Sequence, residues 1–315
     1  MRKIKKITTE LQSILLKTPF VTALRRVENV EFVRVCILFD DGTVSCGEAP
    51  STKAITGEDL ESITQDITSL APSLYGLSPK EASVCVERSS LGSSAKASLD
   101  MALFFVEHPL SFHVSMRLKT DITISYNETQ TMLNDAQKAY NEGFDFLKIK
   151  LASDINHAIQ TTLQLRKMLP KSTLLIDANQ AWNLEDTLTY IDATKGCDLA
   201  LIEQPVQAKE IENLGIITRY SQVPILADEA VFNLDDVRYV MENGYADMIN
   251  IKLMKCGGVT KAIEILEYAR AHQVPCMLGS MLEGPISINA AVYLAERYSD
   301  VIKYADLDSP LLYAS

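Results

Sequence analysis

The chain has 315 residues, 47% of them hydrophobic, and a formal net charge of −11. This length can bury a sizeable core, in one large domain or in a small domain joined to a barrel. The acidic balance leaves no basic stripe for nucleic acid. No apolar run reaches membrane-spanning length, and the basic opening MRKIKKITTE lacks the apolar core of a secretory signal, so a cytoplasmic protein is expected.

The predicted elements begin with a β-hairpin over residues 30–48. Strand-like EFVRVCILF turns at Asp40-Asp41-Gly42 and returns as TVSCGEA. Helical patterns follow at 58–70, 80–89 and 94–106. Together these elements predict a small α+β domain over residues 1–115.

From about residue 121, short apolar runs alternate with amphipathic stretches of helical length. The eight strand candidates are DITISY, FDFLKIKL, TLLIDA, LALIEQP, VPILADE, ADMINIKL, VPCMLGS and VIKYADLD. Seven helix candidates lie between them, near 129–142, 154–168, 184–193, 209–220, 234–242, 258–271 and 285–297. This alternation predicts a β/α barrel over residues 116–315. A doubly wound open sheet is the alternative, weakened by the lack of a Gly-rich fingerprint after the first strand.

Polar residues recur at the C-terminal ends of these strands, at intervals of 24 to 28 residues: Lys150, Asp177, Glu203, Asp228, Lys252, Ser280 and Asp306. In a barrel, the loops at that end hold the active site. Strand alternation places a further polar residue on the same face of three strands, namely Lys148, Asn250 and Asp308. The pattern predicts one ring of functional side chains.

Three carboxylates come from successive strands, Asp177, Glu203 and Asp228. A set without histidine or cysteine is hard and all-oxygen, which favours magnesium over zinc. Each one alone is equally well explained as the cap of a following helix. Three in register, with lysines on both sides, favour a metal site.

Lys150 precedes the carboxylates and Lys252 follows them, so in a barrel the two lysines approach from opposite sides. A lysine near other cations can have its pKa lowered enough to act as a base, and Lys148 and the metal would have that influence on Lys150. The alternative is that the lysines are counterions of the carboxylates, which suits Lys148 better than the other two. Lys255, in the following loop, is expected to be an ordinary surface residue.

Four other residues are weaker candidates. Ser280 and Glu283, in GSMLEG, can line the pocket, and Glu283 can equally cap the next helix. Asn179 and Glu229 stand beside the metal candidates and can be their hydrogen-bond partners. Ordinary loop hydrogen bonding explains this last pair about as well.

The six cysteines form no Cys-x-x-Cys pair and lie near no histidine cluster. In so long a chain this predicts free, mostly buried thiols in a reducing compartment and argues against a zinc site.

Five segments together resemble the muconate-lactonizing subgroup of the enolase superfamily: KIK at 148–150, DAN at 177–179, IEQP at 202–205, ADE at 227–229 and NIKLMKCGG at 250–258. Two more, GEAPSTKAITGE at 47–58 and DLDSP at 306–310, resemble the dipeptide epimerases, in particular those acting on Ala-Glu. The resemblance runs over most of the chain.

That resemblance implies a modified (β/α)7β TIM-type barrel with an N-terminal capping domain. It implies one Mg²⁺ per subunit, bound by the three carboxylates, and an isomerase that inverts the α-carbon of the C-terminal residue of a dipeptide, as in murein peptide metabolism. Lys150 and Lys252 would be the acid and base groups, with Lys148 adding charge stabilisation. Asp306 and Asp308 resemble the family's clamp on the free ammonium of the substrate.

Arg25 falls where glutamate-specific members carry an arginine for the side-chain carboxylate of the substrate, and Arg26 is its rival. Other activities of the subgroup stay open: o-succinylbenzoate synthase, muconate-type cycloisomerase and N-succinyl-amino-acid racemase. The paired aspartates argue against them, because a substrate without an ammonium gives the pair no purpose. A non-catalytic binding protein on the same fold is the alternative from another class. The expected partner is a small dipeptide, with neither nucleic acid nor membrane, and a homo-oligomer is possible.

Overall fold

The computed structural model describes residues 2–22, 26–109 and 119–314. Within these ranges the chain forms a three-stranded antiparallel sheet with helices, followed by eight parallel strands surrounded by helices. This confirms the predicted barrel with an N-terminal α+β cap. The predicted domain boundary, between residues 115 and 116, lies outside the described residues.

The cap sheet has the order β1-β2-β3, with β1 at Ile4–Val21, β2 at Arg26–Phe39 and β3 at Val44–Pro50. Its inward side chains pack on four helices, α1 Lys53–Thr56, α2 Leu60–Leu74, α3 Pro79–Arg88 and α4 Ser93–Glu107. The helices α2 and α3 begin at capping boxes, in which Asp59 and Ser78 accept from the backbone N–H three residues on. The sequence analysis predicts the hairpin of β2 and β3 but not the 18-residue strand β1.

The barrel strands are β4 Ile122–Ile124, β5 Phe146–Lys150, β6 Thr173–Asp177, β7 Leu201–Glu203, β8 Ile225–Ala227, β9 Met248–Lys252, β10 Cys276–Gly279 and β11 Ile302–Asp306. The helices around them are α5 Thr129–Asn141, α6 Ile155–Met168, α7 Leu184–Ala193, α8 Ile211–Tyr220, α9 Leu234–Glu242, α10 Leu253–Cys256, α11 Val259–His272, α12 Pro285–Arg297 and α13 Ser309–Leu312. The seven predicted barrel helices begin and end within two residues of the observed ones. The short helices α10 and α13 are additional.

The ring closes between its last and first strands. Thr120 pairs in parallel with Ala305, and the backbone N–H of Asp121 donates to the Ala305 carbonyl at 2.9 Å. Inside the ring, an apolar layer lies directly below the predicted polar one: Leu175, Leu201, Leu226, Met248 and Met277. Leu175 and Leu201 stand two residues before the polar strand ends, so they share their face. This layer is the apolar base on which the polar side chains of the strand ends lie.

The cap is fixed to the barrel through two buried carboxylates. Glu48 of β3 accepts from the backbone N–H groups of Ile286 and Ser287 at the start of α12. Asp100 of α4 accepts from the Thr260 N–H, at the start of α11, at 3.0 Å. Both bonds exploit the unsatisfied donors of a helix N-terminus. Gly258, at φ 123°, permits the second, because a Cβ there would lie 2.4 Å from a carboxylate oxygen of Asp100.

Cys36 and Cys46 are register partners on β2 and β3, and they form a disulfide. The prediction of free thiols is therefore wrong for this pair, because side chains directly opposite each other on antiparallel strands are close enough to be bridged. Cys85, Cys197, Cys256 and Cys276 are free thiols.

In the part of the chain that the structure describes, no helix combines the length and the apolar character needed to cross a bilayer.

Candidate active site

The predicted polar residues lie together at the C-terminal ends of the barrel strands. Lys150 is the register partner of Asp177, and Asp177 is that of Glu203. On the other side of the ring, Gly279 pairs with both Lys252 and Asp306. Parallel strands in a closed ring bring these ends to one level, which is why residues far apart in the chain meet here.

Lys148 lies at the centre of this group and is fully buried. Its Nζ lies 2.6 Å from Asp306 Oδ2, 2.7 Å from Glu203 Oε2 and 3.2 Å from Asp177 Oδ2. Burial opposes its charge, but these three carboxylates outweigh burial and raise the pKa of Lys148 well above its usual range. Lys148 is therefore a permanently charged bridge between three strands.

Lys150 and Lys252 face each other across the ring. They belong to β5 and β9, which are four strands apart among the eight of the barrel. Lys150 pairs with Asp177 at 2.6 Å and Lys252 with Asp228 at 2.7 Å. Both line the same partly open cavity, so a small molecule in that cavity lies between two amino groups.

The pKa of Lys252 is raised above its usual range in this structure. Burial lowers it, but the adjacent charge of Asp228 outweighs burial. The charged form of Lys252 is therefore the favoured one beside Asp228.

The carboxylates of this site differ sharply in their pKa values. Burial opposes the charge of Asp177, but Lys150 and Lys148 outweigh it and hold its pKa at about 2. The pKa of Asp228 is also lowered, because Lys252 and Lys255 outweigh burial. Burial and the charge of Asp177 instead raise the pKa of Glu203 to about 7.

Lys255 is not the surface residue that the sequence analysis expects. It is 3% exposed, and its Nζ lies 2.6 Å from Asp228 Oδ1 and 2.9 Å from the Asn250 carbonyl. The short helix α10 turns the chain back directly after β9 and carries the lysine beneath the end of β8. Lys255 thus holds one carboxylate oxygen of Asp228, while Lys252 contacts the other.

Asp306 ends the last strand of the ring and Asp308 follows it. Asp306 shares the ammonium of Lys148 with Glu203 and Asp177. Both aspartates line the cavity, and Asp308 accepts from the backbone N–H of Thr123 at 2.7 Å. Burial and the charge of Asp306 raise the pKa of Asp308 to about 6. Together with Asp121 they form a group in which one oxygen of each lies within 4.8 Å of the others. This region of the cavity is strongly acidic.

Ser280 and Glu283 separate into two roles. Ser280 lines the cavity and donates to the Asp306 carbonyl at 3.2 Å. The carboxylate of Glu283 instead accepts from the Met281 N–H at 2.8 Å and from the Ser287 hydroxyl in the first turn of α12. Glu283 therefore binds the Ser287 side chain, whereas the first backbone N–H groups of α12 donate to Glu48.

The cap supplies the outer wall of the cavity. Phe20 and Thr22 come from the end of β1, and Thr52, Ala54 and Ile55 come from the segment around α1. Arg25 lies outside the described residues. Arg26 is exposed, and its guanidinium lies 3.6 Å from the carboxylate of Glu28.

Residues 131–311 match the family described as enolase C-terminal domain-like, which covers more than half of the chain. The chain belongs to the enolase superfamily. It is 53% identical over 99% of its length to the L-amino acid-D/L-Glu epimerase of Sulfurimonas denitrificans, of which it covers 94%. The structure is similar, with a TM-score of 0.94 and 36% identity, to a substrate-liganded complex of the L-Ala-D/L-Glu epimerase from Bacillus subtilis, covering 99% of this chain and 92% of that one.

A dipeptide epimerase from Enterococcus faecalis, complexed with Mg and the dipeptide L-Leu-L-Tyr, is similar at a TM-score of 0.93 and 32% identity, over 99% of this chain and 92% of that one. The chain is thus homologous to the dipeptide epimerases of the superfamily, in agreement with the resemblance seen in its motifs.

The residues at the barrel mouth fit a divalent cation. Seven buried carboxyl groups stand against four buried lysines: Asp121, Asp177, Glu203, Asp228, Glu229, Asp306 and Asp308, with Lys148, Lys150, Lys252 and Lys255. The surplus of negative charge and the all-oxygen donors are what Mg²⁺ requires. Among the described residues, Asp177, Glu203 and Asp228 do not bring one oxygen each within 4.8 Å of one another, as Asp121, Asp306 and Asp308 do. A lysine ammonium instead contacts each of the three carboxylates.

Two further residues support the trio. Asn250 donates to Glu203 Oε1 at 2.7 Å, on the strand face where alternation had placed it beside Lys252. The sequence analysis did not single out Gln204, whose side-chain carbonyl accepts from the backbone N–H groups of Asp228 and Ala230.

The loops after β6 and β7 adopt unusual backbone conformations. Asn179, Gln180 and Gln204 have φ values of 44°, 65° and 33°, in the left-handed region that non-glycine residues seldom occupy. Asn179 donates from its backbone to Asp177 Oδ1 at 2.9 Å, and its side chain lies 3.5 Å from Glu229. Burial and the charge of Asp228 raise the pKa of Glu229 to about 8.

Proposed function

We propose that this protein epimerises dipeptides at the α-carbon of their C-terminal residue, with one Mg²⁺ per subunit. The observation that carries the proposal is the placement of Lys150 and Lys252 on opposite walls of one cavity, with acidic residues between them. Inversion of a stereocentre requires removal of a proton from one face and its return on the other. Two facing lysines provide both groups.

The three carboxylates Asp177, Glu203 and Asp228 would hold the ion. A divalent cation there offsets the negative charge that develops on the substrate carboxylate when its α-proton leaves. It also competes with Lys252 for Asp228, which would free that amine to accept a proton. Lys148 adds a fixed positive charge beside the same carboxylates.

In one direction, neutral Lys150 takes the α-proton: the C–H bond breaks and an N–H bond forms. The ammonium of Lys252 then donates from the opposite face, so that its N–H bond breaks and a new C–H bond forms. The reverse direction exchanges the two roles. The atoms balance without an oxidant or a further reactant, and each turnover leaves the two lysines with exchanged protonation states.

Asp306 and Asp308 suit the free ammonium at the other end of a dipeptide. Both line the cavity that also holds Lys150 and Lys252, so they would meet a positive group of a substrate bound between the two lysines. The relatives named for glutamate and the 53% identity to one of them support a substrate with C-terminal glutamate. Arg25 or Arg26 would then meet the side-chain carboxylate.

Proton exchange in deuterated water tests this proposal. The enzyme, stripped of metal and then supplied with Mg²⁺, is offered a panel of L,L-dipeptides that includes L-Ala-L-Glu. We expect α-deuterium to appear in the C-terminal residue together with the L,D-dipeptide, and chelation to stop both. Exchange that survives chelation would overturn the metal-dependent scheme. Turnover of N-succinyl amino acids in place of dipeptides would favour the racemase of the same subgroup.

A further inference from the structure

Asp121 is a buried carboxylate that the scheme above does not use. It lies just before β4 and is 1% exposed. Among the described residues, neither of its carboxylate oxygens has a hydrogen-bond partner. A buried carboxylate without a donor is unfavourable in its charged form, and burial with the charge of Asp306 raises the pKa of Asp121 well above its usual range. A cation beside it would restore the charged form.

The side chain of Asp121 faces Asp306 and Asp308. One oxygen from each of the three lies within 4.8 Å of the other two. A nitrogen placed between three oxygens at that spacing is within hydrogen-bond distance of all of them. The geometry is that of an acceptor site for a single cationic group.

Lys148 contacts one member of this group, Asp306. A lysine ammonium has three donors, and the carboxylates of Asp306, Glu203 and Asp177 already surround this one, so Lys148 leaves Asp121 and Asp308 without a cation. In the described ranges, neither Asp121 nor Asp308 forms an ion pair with a lysine or arginine of the chain. Apart from Lys148 beside Asp306, the described residues supply no cation to this group, so a cation of a ligand can bind there.

We propose that Asp121 is a third acidic residue of the subsite for the free ammonium of the dipeptide, and that this subsite selects a primary ammonium. The inference rests on the proposed function. A primary ammonium has three N–H donors, one for each carboxylate. Asp306 and Asp308 line the cavity, and Asp121 has an oxygen within 4.8 Å of theirs, so Asp121 would accept from the third donor of an ammonium held between them.

Three substrates separate this role from a structural one: L-Ala-L-Glu, its N-methyl derivative with one fewer donor, and N-propionyl-L-Glu, which has the same chain without the ammonium. In wild type, N-methylation should lower kcat/KM about tenfold or more, since a hydrogen bond between charged groups is lost. The Asp121→Asn variant keeps the shape of the side chain and removes its charge. It should lower kcat/KM for L-Ala-L-Glu about tenfold, mainly through KM.

The same variant should leave the slow turnover of N-propionyl-L-Glu unchanged, and it should shrink the penalty for N-methylation. It should not lower the unfolding temperature of the free protein, because it removes an unpaired buried charge. Asp100→Asn is the matched control, since Asp100 is also buried but accepts from a helix N-terminus. It should lower the unfolding temperature and leave the order of preference among the three substrates unchanged.

An equal loss on all three substrates in Asp121→Asn would show a structural role and overturn the inference. Equal kcat/KM for the methylated and unmethylated dipeptides in wild type would overturn it without any variant, which covers the case of a variant that fails to fold. A wild-type protein that neither binds nor epimerises dipeptides would overturn the proposed function, and this inference with it. Activity on dipeptides with an unchanged Asp121→Asn variant would overturn the inference alone.

Discussion

Buried carboxylates occur in two regions of this molecule, and their partners differ. Where the cap meets the barrel, Glu48 and Asp100 accept hydrogen bonds from backbone N–H groups at the starts of barrel helices. Within the cap, Glu58 likewise accepts from the Ser94 and Ala95 N–H groups at the start of α4. At the barrel mouth, Asp177 and Asp228 instead contact the flexible ends of lysine side chains.

The difference separates structural from functional acids. A backbone N–H is fixed by its helix and offers a carboxylate one permanent donor. A lysine ammonium sits on a flexible stem and can move when a stronger cation or a substrate arrives. Asp100 and Glu58, which accept from helix N-termini, therefore stabilise the fold, whereas Asp177 and Asp228 can exchange their lysine partners.

The largest expected effects come from replacing a carboxylate by the matching amide, first at the barrel mouth and then within the cap. Asp177→Asn, Glu203→Gln or Asp228→Asn should lower kcat by a factor on the order of 10³ or more, because the ion that stabilises the developing charge is lost. The fold should survive, as measured by circular dichroism and thermal unfolding. Isothermal titration calorimetry should show weakened Mg²⁺ binding.

Glu58→Gln is the matched variant from the structural set. It keeps the side-chain shape but loses a charged acceptor at two helix N–H groups, so unfolding should become easier by about 2 kcal/mol. Its kcat should stay close to wild type. The distinction between functional and structural carboxylates would be wrong if a variant at Asp177, Glu203 or Asp228 kept full activity after treatment with a chelator. It would also be wrong if Glu58→Gln lost activity without losing stability.

The two facing lysines should be separable by the face of the substrate on which they act. Lys150→Ala and Lys252→Ala should each reduce epimerisation by a factor on the order of 10³ or more, because one proton transfer is missing. Each should retain α-proton exchange from one enantiomer only, followed by NMR in deuterated water. Exchange from both enantiomers in either variant contradicts the two-base scheme.

Glu283 is intermediate between the structural and the functional carboxylates. It lies beside the cavity, but its donors are the Met281 backbone N–H and the Ser287 hydroxyl. Burial raises its pKa to about 7. The folded state therefore binds a proton that the unfolded state releases, and this contribution to stability is present below about pH 4 and lost as the pH rises to 7. Glu283→Gln should gain up to about 3 kcal/mol relative to wild type between those limits, measured by denaturant unfolding.

The smallest expected effect concerns Lys255, a lysine that lies against a metal candidate but also binds a backbone carbonyl. Lys255→Met should remove a cation that competes for Asp228, so Mg²⁺ should bind more tightly. The released carboxylate should also be less well oriented, and kcat should fall about tenfold. Weaker binding together with lower kcat would mean that Lys255 only supports the fold. Lys261→Met, at an exposed ion pair with Glu87, is the control.

The repeat of strand and helix made most of the site predictable. Because each β/α unit returns the chain to the same end of the barrel, the spacing of polar residues at strand ends located Lys150, Asp177 and Lys252 on one ring. The burial of Lys255 was not predicted, because the four-residue helix α10 turns the chain back beneath β8. A helix of one turn is too short to produce a periodic pattern in the sequence. Asp121 was not singled out because it is the first residue of the predicted strand DITISY, whereas functional residues were sought at the C-terminal strand ends.

The cap was harder to predict. The strand β1 has no clean alternation of apolar and polar residues, and its buried positions are scattered, so only pairing with β2 defines it. Cys36 and Cys46 lie ten residues apart, and their bridge follows from the register of two strands that the sequence does not specify. Substrate contacts from the region around Arg25 stay a prediction.

The left-handed residues after β6 and β7 have a consequence for attempts to engineer this protein. Glycine at Asn179 would relax the backbone at the loss of one long side-chain contact, so selection for heat resistance should favour this replacement. Glycine at Gln204 or Gln180 should not be favoured, because the Gln204 side chain holds the backbone N–H groups of Asp228 and Ala230, and the Gln180 side chain holds that of Ala208. Because Asn179 also contacts Glu229 beside the proposed metal site, a library screened for thermal tolerance alone should enrich enzymes that survive heating but turn over slowly, so activity has to be selected in the same round.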